Sequence, residues 1–112
     1  MQTPNRNGVY QAEKTIEVAR HGRSYAAVQV CQCEDGEYRY ALDFWGRDRG
    51  FCGPITANRP GYPSLKAAAD AGREEMLQVF PIATPYDPEA QHRELAAMRS
   101  QIDAGVRQPS LF

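Results

Sequence analysis

The chain has 112 residues and 42% apolar content, enough for one compact domain with a modest core and no need of metal or disulfide staples. Its 13 Lys and Arg against 14 Asp and Glu give a formal charge of −1, which excludes a bulk electrostatic pull on nucleic acid or an anionic membrane. No apolar run approaches the roughly 20 residues of a membrane-spanning helix, and MQTPNRNGVY lacks the basic start and apolar stretch of an export signal, so a cytoplasmic location is expected.

Basic residues are mostly Arg, with Lys only at positions 14 and 66, which suits bidentate contact with phosphate or carboxylate; a GC-rich genome gives the same bias. Three cysteines, an odd number, fit reduced thiols better than a disulfide framework.

Residues 1–13 read as a polar, loose start. TIEVAR then alternates, with Ile16 and Val18 on one side and Thr15, Glu17 and Ala19 on the other, the period of a half-buried strand. HGRS reads as a turn. YAAVQVCQC gives a second strand, with Ala26, Val28 and Val30 opposite Tyr25, Ala27, Gln29, Cys31 and Cys33. The Asp-Gly of EDGE marks a hairpin, because Gly accepts positive φ without strain. In YRYALDFW, Tyr38, Tyr40, Leu42 and Phe44 oppose Arg39, Ala41, Asp43 and Trp45. GRDRG turns the chain again, and FCGPI is a short fourth strand ended by Pro54, which cannot donate to a ladder.

TANRPGYP is loop. In SLKAAADAGREEMLQVF the apolar positions Leu65, Ala68, Ala69, Gly72, Met76, Val79 and Phe80 line one side of a helix, capped by Ser64 and carrying a Lys66–Asp70 pair. Gly72 weakens a helix by about 1 kcal/mol relative to Ala, so its place in the stripe predicts a close approach to the sheet. After PIATPYDP, Asp87 and Pro88 predict a second helix start, and Gly105 its end. That helix has a sparse stripe, Leu95, Met98 and Ile102, which packs lightly on the domain or meets a partner, leaving the oligomeric state open. The expected architecture is α+β: a three- or four-stranded antiparallel meander followed by two helices, with a single domain over 1–105 and a peptide tail over 106–112.

Several chemistries are weighed on these residues. Cys31, Cys33 and Cys52 with His21 or His92 are a poor zinc set, since a Cys-x-Cys within a strand lacks the two-to-four-residue spacing of loop-borne ligands. No metal or other cofactor is expected. Neither histidine stands beside a nucleophile and an orienting group, and GRDRG does not lead from a strand into a helix, so the chain reads as a non-enzyme. Arg39, Arg47, Arg49 and Arg59 near Tyr38, Tyr40 and Trp45 resemble a single-strand-binding surface, although Asp43 and Asp48 dilute it and the tyrosines fall on the core face. The element order loosely resembles double-stranded RNA-binding domains, without their leading helix or basic last helix.

The chain closes on RQPSLF. Leu111 and Phe112 need burial, either in their own fold or in another protein. QPSLF resembles the short peptide by which bacterial polymerases, repair proteins and many plasmid- or phage-borne proteins dock on the replicative DNA sliding clamp. That pattern is a glutamine, a variable residue, a serine or aspartate, then leucine and phenylalanine. Four of five positions match, with Pro109 the departure. The resemblance implies that Gln108 places its amide at a pocket edge, Ser110 sets an extended backbone, and Leu111 and Phe112 fill an apolar cleft. Burial of Leu and Phe contributes about 1.5–3 kcal/mol each, enough for a micromolar contact after ordering costs. Gln and Ser at these spacings favour the displayed tail over the self-docked one. The expected function is therefore that of a small bacterial or mobile-element protein docking on the clamp. The alternative is a nucleic-acid- or host-factor-binding module, such as an anti-defence inhibitor, acting through the Arg-rich loop.

Overall fold

The computed structural model describes residues 1–107. It is an α+β fold: β1 (Val9–Tyr10), β2 (Lys14–His21), β3 (Ser24–Gln32), β4 (Tyr38–Trp45), β5 (Gly50–Cys52), β6 (Ile55–Thr56), then α1 (Leu65–Val79) and α2 (Glu89–Arg107). Strands β2-β3-β4-β5 form an antiparallel meander in that order, and β1 pairs with β6 in a separate two-stranded ribbon.

The turns follow from local chemistry. Gly22 and Gly36 take positive φ, 61° and 85°, at the β2–β3 and β3–β4 turns. In the second turn the Asp35 carboxylate also accepts the Glu37 N–H at 3.0 Å. The alternation of β3 and β4 holds: Ala26, Val28, Val30, Tyr40, Leu42 and Phe44 are buried beneath both helices. Phe44 is the aromatic centre, 4.9 Å from Phe80 and 5.5 Å from Phe51 between ring centroids.

Helix α1 lies on the sheet where Gly72 allows it. A Cβ built on Gly72 would stand 2.5 Å from Val28 Cγ1, so any side chain there collides with the sheet. Ser64 caps the helix through its hydroxyl, which accepts the Ala67 N–H at 3.0 Å, and Lys66 pairs with Asp70 at 2.7 Å. Val79 leaves the stripe and is exposed, because the helix ends there and Phe80, one turn beyond Met76, takes the core position. Helix α2 packs on β2 and α1 with Leu95, Met98 and Ile102 fully buried, so its sparse stripe is consumed within the fold.

Five readings of the sequence are corrected. A bulge at Val18 interrupts β2, so Ala19, not Val18, pairs opposite Ala26 on the core face. FCGPI divides, with β5 extending the sheet and Ile55 crossing to pair with Tyr10. Residues 1–13 are tied down: Gln2 N–H donates to the Gln32 carbonyl at 3.0 Å, and the buried Tyr10 hydroxyl donates to Glu34 at 2.9 Å. This ribbon closes a second small cluster of Tyr10, Cys31, Cys33, Ala41 and Ile55 on the sheet face away from the helices. Asp87 does not cap α2, since its carboxylate turns back to accept the Thr84 N–H at 2.7 Å. Gly105 is helical and α2 runs on to Arg107, with the glycine facing Arg73. No helix of the described residues is long and apolar enough to cross a membrane.

Candidate functional site

The predicted docking residues Gln108, Ser110, Leu111 and Phe112 lie outside the described residues. Helix α2 carries the chain up to them, and its last residue, Arg107, is exposed and paired with Asp103 at 3.1 Å.

The four arginines of the alternative reading do not form one patch: Arg39 and Arg59 meet near the start of β4, and Arg47 and Arg49 follow its other end. Arg39 is the second residue of β4 and Arg47 follows its end; from Arg39 to Trp45 the strand rises roughly 20 Å at about 3.3 Å per residue. Arg39 grips Asp35 with two N–H groups, at 3.2 and 3.0 Å, and donates Nε–H to the Arg59 carbonyl at 3.0 Å. This clamp ties the hairpin to the loop before α1, and its bidentate bond holds the Asp35 carboxyl below the usual carboxylate range. Arg59 lies 5.1 Å from the Tyr40 ring centroid and 3.5 Å from Glu75, whose carboxylate also accepts the Tyr40 hydroxyl. Arg49 donates to Asp48 at 3.1 Å and to Asp87 at 2.7 Å, joining the β4–β5 loop to the segment between the helices. The Thr84 N–H and then Arg49 hold the Asp87 carboxyl below its usual range. Three of the four are thus internal fasteners, while Arg47 is exposed and has no ion pair among the described residues.

Nor do the cysteines converge. Cys31 and Cys33 are buried with their sulfurs 3.9 Å apart, and Cys52 is exposed on β5. Burial, and then the neighbouring Cys33, push the Cys31 thiol up to about 12, the direction of an unreactive thiol.

Beside Arg47 the structure forms a cleft that sequence reading missed. It has a volume of about 510 Å³ and is lined by His21, Arg23 and Ser24 from the β2–β3 turn, by Trp45 and Arg47 after β4, and by Glu94 of α2. Glu94 is 7% exposed in its side chain and stands 3.5 Å from His21 Nδ1 through Oε1, while Oε2 is buried without a partner among the described residues. One turn earlier, the amide nitrogen of Gln91 is also buried and has no partner among the described residues. Trp45, by contrast, is 65% exposed. The sequence carried a signal for this site: Gln91 and Glu94 fall on the same helical stripe as Leu95, Met98 and Ile102, so two polar residues interrupt a core face. A neighbouring concavity of about 460 Å³ inside the β4–β5 hairpin shares Trp45, Gly46 and Arg47 with the cleft but lacks the buried carboxylate.

The chain matches no protein-family model, no curated protein and no solved structure.

Proposed function

We propose that this protein is a binding protein, not an enzyme, that docks on the bacterial replicative sliding clamp through Gln108, Ser110, Leu111 and Phe112. The observation that carries the reading is the QPSLF pattern, four of five positions of the clamp-binding peptide. Among the described residues the stripe of α2 is already buried on β2 and α1, so it is not a docking face. In a foreign groove, an extended peptide carrying Leu111 and Phe112 gains about 1.5–3 kcal/mol per buried side chain. Pro109 restricts the peptide toward the extended shape that such a groove accepts. The test is capture of the purified bacterial clamp by the full chain and by a chain ending at Arg107. The full chain should retain the clamp and the shortened one should not; equal retention rules the reading out.

The second reading, a nucleic-acid- or host-factor-binding module acting in the cytoplasm, is favoured by one feature, the exposed Trp45 beside the unpaired Arg47. It rests on that end of the sheet alone, since Arg39, Arg49 and Arg59 are held in intramolecular pairs. Its signature is an affinity that falls steeply with salt and with Arg47→Ala.

A further inference from the structure

The four-stranded sheet ends on β2 at one side and β5 at the other, and the two edges differ. On β2 the backbone N–H and carbonyl of Arg20 are both taken by the side-chain amide of Gln101, at 2.9 Å each, and the bulge at Val18 breaks the line of the strand. On β5 no such cover is present among the described residues. The ladder fixes which of its groups face outward. The Gly46 N–H donates to the Arg49 carbonyl and the Gly53 N–H to the Leu42 carbonyl, so the Phe44–Phe51 pair between them is the hydrogen-bonded one of the antiparallel register. The N–H and C=O of Gly50 and Cys52 therefore point away from β4, and both residues are exposed.

Concavities border this edge. Between β5 and α1, a groove of about 340 Å³ is lined by Leu42, Phe51 and Val79, with the Arg59–Glu75 pair in its wall. The concavity of about 460 Å³ within the β4–β5 hairpin shares Phe51 and Cys52 with that groove. An extended chain added to β5 would bond to Gly50 and Cys52 and send alternate side chains to the two faces of the sheet. On the helix side the groove calls for an apolar residue. Charge decides the other side: Asp43 accepts the Tyr25 hydroxyl and Asp48 pairs with Arg49, which leaves Arg47 as the charged residue of the hairpin concavity without a partner among the described residues. An acidic side chain complements it. Area decides between a peptide and a second copy. Trp45 is 65% exposed and Phe51 37%, so at about 150–250 Å² for a whole aromatic side chain they offer on the order of 200 Å². A stable interface takes roughly 800 Å² from each partner, so the edge suits one added strand. We infer that the β5 edge binds an extended peptide segment of another protein, with an apolar residue in the groove against α1 and an adjacent acidic residue beside Arg47. This site needs neither the tail nor nucleic acid.

The probe is a displayed library of random nine-residue peptides, panned on the full chain, with the most enriched binder synthesised. That binder should carry an apolar residue next to an acidic one. Amide hydrogen exchange read by NMR locates it: in the free chain the Gly50 and Cys52 N–H groups should exchange fast while that of Phe51 is protected, and saturating peptide should slow the first two at least tenfold. Cys52→Pro removes an outward donor without touching the bonds to β4, and should weaken the peptide at least tenfold. Val79→Asp, at an exposed position of α1, tests the groove independently and should do the same. Arg47→Ala should erase the preference for the acidic residue over its amide. Failure to enrich any peptide, or binding that leaves both amides and the Val79→Asp affinity unchanged, overturns the inference. So does protection of the two amides without peptide: if it grows with protein concentration a second copy is the occupant, and if it is lost in a chain ending at Arg107 residues 108–112 are. Changing Leu111 and Phe112 to Ala should leave peptide binding intact, and Val79→Asp should leave clamp capture intact, so the two proposals fail separately.

Discussion

Replacing Gly72 with alanine sets two properties of α1 against each other. Helix propensity favours the change by about 1 kcal/mol. Packing opposes it, because the new methyl group would stand 2.5 Å from Val28 Cγ1, 3.0 Å from Val28 Cγ2 and 3.3 Å from Tyr40 Cδ2. Val28 is β-branched, fully buried and central to β3, so it has no alternative rotamer to adopt, and Tyr40 is anchored by its hydrogen bond to Glu75. Relief therefore needs the helix to lift from the sheet by about 1 Å, which belongs at the upper end of the roughly 1–3 kcal/mol range for overpacking. Net destabilisation of about 1–2 kcal/mol should follow, a fall in Tm of roughly 4–16 °C for a domain of this size. Thermal and urea unfolding followed by far-UV circular dichroism would read it. In a Val28→Ala background the obstructing methyl groups are gone, and the same substitution should become neutral or stabilising, a coupling of about 1–3 kcal/mol between two contacting sites. If Gly72→Ala raises Tm in the native background, or has the same effect in both, the close approach of α1 to β3 is refuted.

Two further outcomes follow from the electrostatics and the thiols. Asp87 has its carboxyl lowered by the Thr84 N–H and Arg49, so its contribution is present above the ordinary carboxylate value of about 3.9 and is lost as pH falls through the lowered folded value. The stability gap between the native chain and Asp87→Asn should accordingly be widest at neutral pH and narrow as pH falls below the ordinary carboxylate value, as chemical unfolding across pH would show; a gap that widens in acid contradicts the assignment. Cys52 is exposed whereas Cys31 and Cys33 are buried, so a thiol reagent should modify one cysteine promptly in the folded chain and all three after denaturation, counted by mass spectrometry.

Much of this fold is legible because its signals are local. Alternation through β4 reports a face, Ser64 and the Asp35-Gly36 pair carry their own capping and turn chemistry, and a glycine within an apolar helical stripe announces close contact. The bulge at Val18 is different: an inserted residue leaves the apolar content of β2 unchanged and shifts only the phase, which pairing with β3 decides. Strands of two residues, such as β1 and β6, are too short to show any period, so the ordering of the first 13 residues was hidden until Tyr10 met Ile55. Asp87 resembled a cap by position and was recruited instead by Arg49, 38 residues away in the chain. The arginines likewise read as one patch in sequence and divide in space, Arg39 meeting Arg59 at one end of β4 while Arg47 and Arg49 follow the other, and their partners, Asp35, Asp87 and Glu75, come from three different segments. Of the cleft, only the polar interruption of the α2 stripe was visible; the meeting of Glu94 with His21, Trp45 and Arg47 is a product of tertiary packing.

The claim on which the proposed function depends is that Leu111 and Phe112 are gripped by the sliding clamp. Titration calorimetry of the purified bacterial clamp with the full chain, and with a Leu111→Ala, Phe112→Ala double variant, tests it most directly. A dissociation constant in the micromolar range, weakened at least a hundredfold in the variant, is the expected result: removing two buried side chains forfeits about 3–6 kcal/mol, and each 1.4 kcal/mol is tenfold. No heat of binding from the native chain, or equal affinity from both proteins, would contradict it.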